Sequence, residues 1–232
     1  MIKGKRIIAV IPARGGSKRL PRKNILDLAE KPLIAWTIEA AQMSVGIDEI
    51  IVTTDDSEIE QVANSFGARV IIRPDHLASD TASSIDVVLH AIESQKEKYD
   101  YVLLLQPTSP LRNSKHINDV INMLFEKKAD AVISVSETEH SPLWAGELPE
   151  DNNMNNFIRD EVKNSRSQDL PVFYNLNGAV YMVEIEKLKA EKSFLLSKNA
   201  FAYKMKREES IDIDTLLDFE IANLIMKNFN RG

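Results

Sequence analysis

Short apolar runs alternate along the chain with longer stretches in which apolar residues recur every three or four positions. Residues 7–11 are unbroken apolar and predict a buried strand, ended by Pro12, which has no N–H to give a sheet ladder. Residues 31–44 set Leu33, Ile34, Ile38 and Ala41 on one helical face, with Pro32 suited to a first turn. Strands are predicted next at 48–53, 68–72 and 99–105, the last apolar enough to be central. Helices fall between and after them at 57–66, 81–96 and 114–126. The helix at 57–66 carries Ser57 and Glu60 at capping-box spacing and Gly67 as its stop. A fifth strand is predicted at 130–135. The pattern then breaks over 137–172, which holds Pro142, Pro149, Pro171 and the polar run EDNNMNN, and reads as an excursion from the main layer, a hairpin arm. Regular structure resumes with a strand at 177–183, a short helix around 184–191, a strand near 200–205 and a strand-to-helix unit over 210–228. Strands separated by helices imply right-handed crossovers: an α/β fold with a mostly parallel sheet and helices on both faces.

Composition narrows the function classes. The 232 residues suit one domain, and 44% apolar with 28% charged residues is ordinary for a globular protein. A net charge of -6 argues against general nucleic-acid binding and makes any cationic run stand out. The absence of cysteine excludes disulfides, thiolate catalysis and zinc–thiolate sites. No apolar run approaches the roughly 20 residues of a membrane span. The first apolar run is also too short for a signal peptide, so a cytoplasmic protein without membrane attachment is expected.

The cationic run follows the first strand. Arg14, Lys18, Arg19, Arg22 and Lys23 surround Gly15, Gly16 and Ser17, and the glycines permit close backbone approach to a ligand. The arrangement suits an anion with several phosphates; the alternative is a solvated basic turn. It is neither a P-loop nor a G-x-G-x-x-G fingerprint. Ligands of open α/β sheets bind beyond the carboxyl ends of the strands. Polar clusters at the ends of the second and fourth strands, 53–56 and 106–112, would therefore share the cleft with the basic run. Asp55 and Asp56 precede a helix and read as caps. Gln106, Thr108 and Arg112 either shape a turn around two prolines or read a sugar. Near the C-terminus, Asp212 and Asp214 alternate with Ile211 and Ile213; on a strand they face one way and suit Mg²⁺. The alternative is that Asp214 or Thr215 caps the last helix. The four histidines have no metal-ligand spacing, and Phe194 is either core or cleft wall.

Ile11-Pro-Ala-Arg-Gly-Gly-Ser-Lys-Arg-Leu-Pro-Arg-Lys-Asn24 resembles the nucleotide-binding motif of the CMP-sialic acid synthetases, the N-acylneuraminate cytidylyltransferases. Gln106-Pro-Thr-Ser-Pro-Leu-Arg112, Asn177-Gly-Ala-Val-Tyr181 and Ser210-Ile-Asp-Ile-Asp-Thr215 resemble three further motifs of that family, in its order. The resemblance implies a Rossmann-like nucleotidyltransferase fold over the single domain 1–232. It also implies a homodimer whose arm, here 139–172, reaches over the partner's active site. The implied reaction joins CTP to a nine-carbon 2-keto-3-deoxy sugar acid, giving the CMP-sugar and pyrophosphate. By the same resemblance Arg14 and Lys23 hold the triphosphate with the backbone of Gly15, Gly16 and Ser17. Asn24, Arg73, Ala82 and Ser84 hold cytosine and ribose, Gln106, Tyr181 and Phe194 line the sugar pocket, and Asp212 and Asp214 hold Mg²⁺. The family pattern is broken on the sugar side, with Trp144 where a lysine is usual, Ser167 where an arginine is usual and Leu195 where a second aromatic is usual. Arg166, beside Ser167, is the candidate cation for the sugar carboxylate. These departures leave CTP use untouched and open the choice of acid to legionaminic or pseudaminic acid. A Kdo cytidylyltransferase, a sugar-1-phosphate nucleotidyltransferase and a non-catalytic nucleotide-binding regulator are the rival readings.

Overall fold

The computed structural model describes residues 1–79 and 81–229. Its organising strand is β1 (Ile7–Pro12), buried at every position but the last. Alternation sends Ile7, Ala9 and Ile11 into one apolar layer and Ile8 and Val10 into the opposite one. A strand apolar on both faces belongs inside a sheet covered on both sides.

The first layer is roofed by α1 (Leu33–Gln42), α2 (Ser57–Ser65) and α4 (Ser114–Lys127), and the second by α3 (Ser84–Glu93) and α5 (Ile185–Glu191). Between them lie β4 (Glu49–Thr54), β5 (Arg69–Ile72), β6 (Tyr101–Leu104), β7 (Ala131–Glu137), β8 (Tyr174–Glu184) and β9 (Ala200–Met205). With β1 they form a seven-stranded sheet in the order β5-β4-β1-β6-β8-β7-β9. Only β8 runs against its neighbours; the other pairings are parallel. The strand order reverses between β1 and β6, and the crevice beyond the carboxyl ends of those two strands is where α/β sheets bind ligands.

Three sequence expectations need correction. Residues 31–32 are not the first turn of a helix. They form β3 (Lys31–Pro32), paired with β2 (Asp27–Leu28) through a turn in which Ala29 and Glu30 both have positive φ, and Pro32 stays extended ahead of α1. The cap of α2 is Asp56 rather than Ser57, its carboxylate accepting the N–H groups of Glu58 and Ile59 at 2.9 and 3.0 Å. Residues 210–215 are not a strand: a 3-10 turn at Arg207–Glu209 leads into an extended loop that joins no ladder. Its backbone meets the 106–112 turn where Ile213 N–H donates to the Thr108 carbonyl, 2.8 Å. The excursion after β7 leaves and re-enters the sheet where Thr138 N–H meets the Phe173 carbonyl at 3.0 Å, and it contains 3-10 turns but no strand among the described residues.

A third apolar cluster joins Leu20, Leu28, Leu33 and Leu111 to Ile213, Ala222 and Met226. It seats α6 (Leu216–Phe229) and the loop before it against the basic run. Arg112 is 1% exposed and makes no ion pair among the described residues. It donates to Thr37 Oγ1, the Gln106 carbonyl and the Ala179 carbonyl, and burial pushes its guanidinium down to about 9. It is therefore a strut beneath the 106–112 turn, not a sugar reader.

Two carboxylates fix the entry to β1: Asp48 accepts the Ile7 N–H at 2.8 Å and Asp100 accepts the Arg6 N–H at 2.9 Å. The Arg6 N–H, then Lys5, hold the Asp100 carboxyl below the ordinary 3.8. Burial pushes Asp48 up, but the terminal ammonium and Ile7 N–H outweigh it and leave it low as well. Depressed carboxyls stabilise the fold fully above their unfolded value, and that stabilisation is lost as pH falls through the folded values. Asp100→Asn is expected to lose about 1 kcal/mol at neutral pH in urea denaturation and to flatten the acid limb of the stability curve. An acid limb as steep as that of the wild type would refute this role.

Candidate active site

β1 ends against the first helical layer, and the chain beyond it crosses the mouth of the crevice. Ala13 N–H bonds the Thr53 carbonyl at 3.0 Å, so the basic run starts in register with the end of β4. Gly15 N–H donates to Asp55 Oδ1 at 3.2 Å, and a Cβ on Gly15 would lie 2.4 Å from Asp56 Oδ2. Glycine is required there by close approach. Gly16 has open space around its Cβ direction, and neither glycine has the positive φ of an anion nest. The Gly15 N–H points to a carboxylate, so side chains rather than a glycine nest supply the polar lining. Arg22 adopts φ +58 and pairs with Asp56 at 3.6 Å and Glu58 at 2.5 Å. The reading of Asp55 and Asp56 as caps thus holds for Asp56, while Asp55 anchors the loop.

A cleft of about 470 Å³ lies inside this loop. Arg14, Ser17, Lys23, Asn24, Arg73, Ala82, Ser84, Gln106 and Asp214, all singled out in the sequence, line it together. Lys18 and Arg19 line it too, which the sequence had left without a role beyond attracting anions. Several separate elements bring them there. Lys23 and Asn24 sit on a 3-10 turn (Lys23–Ile25), and Asn24 donates its amide to the Arg14 carbonyl at 3.0 Å, closing the basic loop. Arg73 follows β5; its N–H bonds the Thr54 carbonyl at 2.8 Å and its guanidinium the Thr53 carbonyl at 2.5 Å, leaving Nε buried without a partner among the described residues. Burial lowers the Arg73 pKa, Asp55 opposing and Arg14 adding to that effect. Ala82 and Ser84 flank Ser83, which caps α3 by accepting the Ile85 N–H at 3.1 Å.

Asp214 enters from the far end of the chain. Lys23 Nζ donates to the Ile213 carbonyl at 2.5 Å and to Asp214 Oδ1 at 3.2 Å, and Arg19 meets Asp214 Oδ2 at 3.1 Å. Capping of α6 falls to Thr215, whose hydroxyl accepts the Asp218 N–H at 3.3 Å while Asp218 accepts the Thr215 N–H at 2.7 Å. Both Asp212 and Asp214 are thereby spared for other work. Burial pushes the Asp212 carboxyl up; the Thr108 hydroxyl opposes this and the Asp214 charge adds to it. Asp214 lines the cation-lined cleft and Asp212, on the adjacent groove, feels its charge; carboxylate oxygens are the donors that Mg²⁺ takes, one or two at a time, with water and phosphate completing its shell.

The remaining predicted residues lie elsewhere. Gly15 and Gly16 form the loop but do not line the cleft. Asp212 opens on the adjacent groove with Arg207 and Asp218. Tyr181 on β8 meets the buried Phe194 edge-on at 5.8 Å, so Phe194 is a core residue that supports Tyr181. Arg166 is exposed on the excursion and paired with Asp169 at 2.9 Å, away from the cleft of its own chain. Gly178 has φ +72, and a Cβ on it would come within 2.3 Å of Gln106 Oε1. It lets β8 approach the 106–112 turn.

A family model described as cytidylyltransferase matches residues 8–225. An N-acylneuraminate cytidylyltransferase of Escherichia coli O18:K1:H7 is 38% identical over 227 residues, covering 97% of this chain and 53% of that protein. The chain thus spans about half the length of that relative. A pseudaminic acid cytidylyltransferase of Campylobacter jejuni is 38% identical over 224 residues, with 95% and 96% of the two chains covered. A CMP-N,N'-diacetyllegionaminic acid synthase of Legionella pneumophila is 38% identical over 232 residues, with 96% and 97% covered. Among solved structures, CMP:2-keto-3-deoxy-manno-octonic acid synthetase complexed with CTP superposes with a TM-score of 0.74 at 20% identity, covering 97% of this chain and 99% of that one; at this identity the likeness is one of fold.

The two loop glycines differ in a measurable way. Gly15→Ala must displace the Asp56 carboxylate from its cap and is expected to lose about 1–2 kcal/mol in chemical denaturation, whereas Gly16→Ala should stay within about 0.5 kcal/mol of wild type. Equal effects at the two positions would show that the Asp56 approach is not what demands glycine.

Proposed function

This chain belongs to the cytidylyltransferase family, and on that footing we propose that it activates a nine-carbon 2-keto-3-deoxy sugar acid, N-acetylneuraminic acid or a close relative, with CTP. The observation that carries the reading is the single cleft gathering Arg14, Lys23, Asn24, Arg73 and Asp214 at the switch point of the sheet.

In the proposed reaction the anomeric hydroxyl of the acid attacks the α-phosphorus of CTP. A new P–O bond forms, the bridging bond to the β-phosphate breaks, pyrophosphate leaves and the hydroxyl proton passes to water. Arg14 and Lys23 bind the triphosphate and stabilise the charge that grows on the leaving pyrophosphate. Lys18 and Arg19, on the same wall, add to the field that draws CTP in. Asn24, Arg73, Ala82 and Ser84, which line the cleft, hold the nucleoside. Gln106 and Tyr181, the latter backed by Phe194, orient the sugar. Asp212 and Asp214 would hold Mg²⁺, which when bound neutralises phosphate charge and acidifies the attacking hydroxyl. Arg166, exposed on the excursion, would leave its pairing with Asp169 to serve the sugar carboxylate of a second copy, so a homodimer with 139–172 as its arm belongs to this reading, as does action in the cytoplasm. An acidic chain with one cationic wall favours a compact polyanion over nucleic acid.

A second reading concerns the acid alone. The pseudaminic and legionaminic relatives match this chain over nearly their whole length at the same identity as the N-acylneuraminate relative. With Trp144 and Leu195 departing on the sugar side, either of these acids is the alternative substrate.

Purified protein should release pyrophosphate from CTP and Mg²⁺ only when a nonulosonic acid is added, and a panel of such acids ranks the substrates. Release without the acid, or none with any of them, would overturn the assignment. Asp214→Asn should keep its fold by circular dichroism yet lose roughly a hundredfold or more in turnover at saturating CTP. Near-normal turnover would remove Asp214 from the metal site.

A further inference from the structure

β8 is irregular where it passes the cleft, and three irregularities coincide there. The register between β7 and β8 shifts between Ile133 and Val135, Gly178 takes a positive φ, and Asn177 is 3% exposed with its side chain turned inward. Ser134, at the bulge, donates its hydroxyl to Asn177 Oδ1 at 2.6 Å and accepts the Val180 N–H at 2.8 Å, replacing the ladder bond that the bulge breaks. Bulges beside active sites commonly re-aim a side chain. Here the side chain so aimed is Asn177.

Every hydrogen-bonding position of its amide is used. Oδ1 also accepts the Ala179 N–H at 3.2 Å, and Nδ2 donates to Ser210 Oγ at 3.0 Å and to Met205 Sδ at 3.3 Å. The Ser210 hydroxyl in turn donates to the Lys206 carbonyl at 2.7 Å. On the backbone side, the Asn177 carbonyl accepts the Ser109 hydroxyl at 3.2 Å. Ser109 belongs to the turn that carries Gln106 and Thr108, and Ser210 opens the loop that carries Asp212 and Asp214. One residue therefore grips both loops. They meet again beyond it at the Ile213–Thr108 backbone bond and at the Thr108–Asp212 hydrogen bond.

We infer that Asn177 is a positioning residue for the transfer reaction, setting the carboxylate loop against the 106–112 turn through Ser210 and Ser109. The inference rests on the transferase reading of the cleft. Asn177 does not line that cleft, and the ladders of β8 to β6 and β7 hold the sheet together on either side of it. What its side-chain amide adds is the grip on Ser210, while its backbone carbonyl holds Ser109, and the two together space the loops. Partners one step removed from a ligand group set its orientation, and their loss weakens metal binding and turnover together.

The test uses Ser210, which is half-buried and outside the catalytic set, so its truncation spares the core that Asn177→Ala would disturb. Ser210→Ala, Ser210→Thr and Asp214→Asn are compared with wild type by Mn²⁺ titration of the CTP complex in electron paramagnetic resonance, by kcat and KM for CTP, and by Tm. Ser210→Ala should weaken Mn²⁺ binding roughly five- to tenfold and lower kcat by a similar factor, with KM for CTP within about twofold. Ser210→Thr, which keeps the hydroxyl, should recover both. Wild-type Mn²⁺ binding and kcat in Ser210→Ala, beside an inactive Asp214→Asn, would overturn the positioning role and leave the transferase reading standing. A lowered Tm in Ser210→Ala without change in Mn²⁺ affinity would equally reduce Asn177 to a structural residue. Full metal binding and turnover in Asp214→Asn would overturn both readings.

Discussion

The ammonium group of Lys23 is the contact on which the site depends. Its side chain is only 12% exposed, and it joins the basic run to the Ile213 carbonyl and the Asp214 carboxylate, residues near the opposite end of the chain. A cation so nearly removed from water needs strong acceptors, and here a charged oxygen and a carbonyl supply them. The pairing brings a carboxylate to the edge of the cationic wall. It is underlain by the apolar cluster in which Leu20 and Leu28 pack with Ile213, Ala222 and Met226. Burial of those side chains sets the distance, and the polar contact sets the direction.

The rest of the cleft is built by the same division of labour. Strands end at the switch point because the sheet is covered on both faces, and the apolar alternation of β1 enforces that cover. The turns beyond the strands are then tied to one another by side chains: Asp55 to Gly15, Asn24 to Arg14, Arg73 to Thr53, and Asn177 to both Ser210 and Ser109. A cleft of many cations would repel itself if empty. Asp214 between Lys23 and Arg19, and Asp56 and Glu58 around Arg22, offset that repulsion.

The sequence was a good guide wherever the physics is periodic or local. The strands, the helices that roof them and the basic run all lie close to where periodicity puts them, because side-chain alternation and turn residues act over a few positions. It misled where a local rule had two answers. Asp56 and Ser57 are both capping residues, and Asp56 won because its backbone is extended while Ser57 is already helical. Asp212 and Asp214 were placed on a strand, yet their loop finds no partner strand and is held by bonds to Thr108, Lys23 and Asn177 instead. Arg112 read as equally suited to turn or sugar; only its complete burial decides for the turn.

By itself the sequence determined the α/β class and the cationic loop after the first strand, since each follows from residue type and near-neighbour spacing. Only the tertiary structure decided which of those residues meet. That Lys23 closes on Asp214 and that Arg19 joins it depend on packing between segments about 190 residues apart. The same holds for Asn177, which tunes two loops from behind the cleft. Contacts of that range are settled by how the apolar layers stack, and no local pattern in the chain records the outcome.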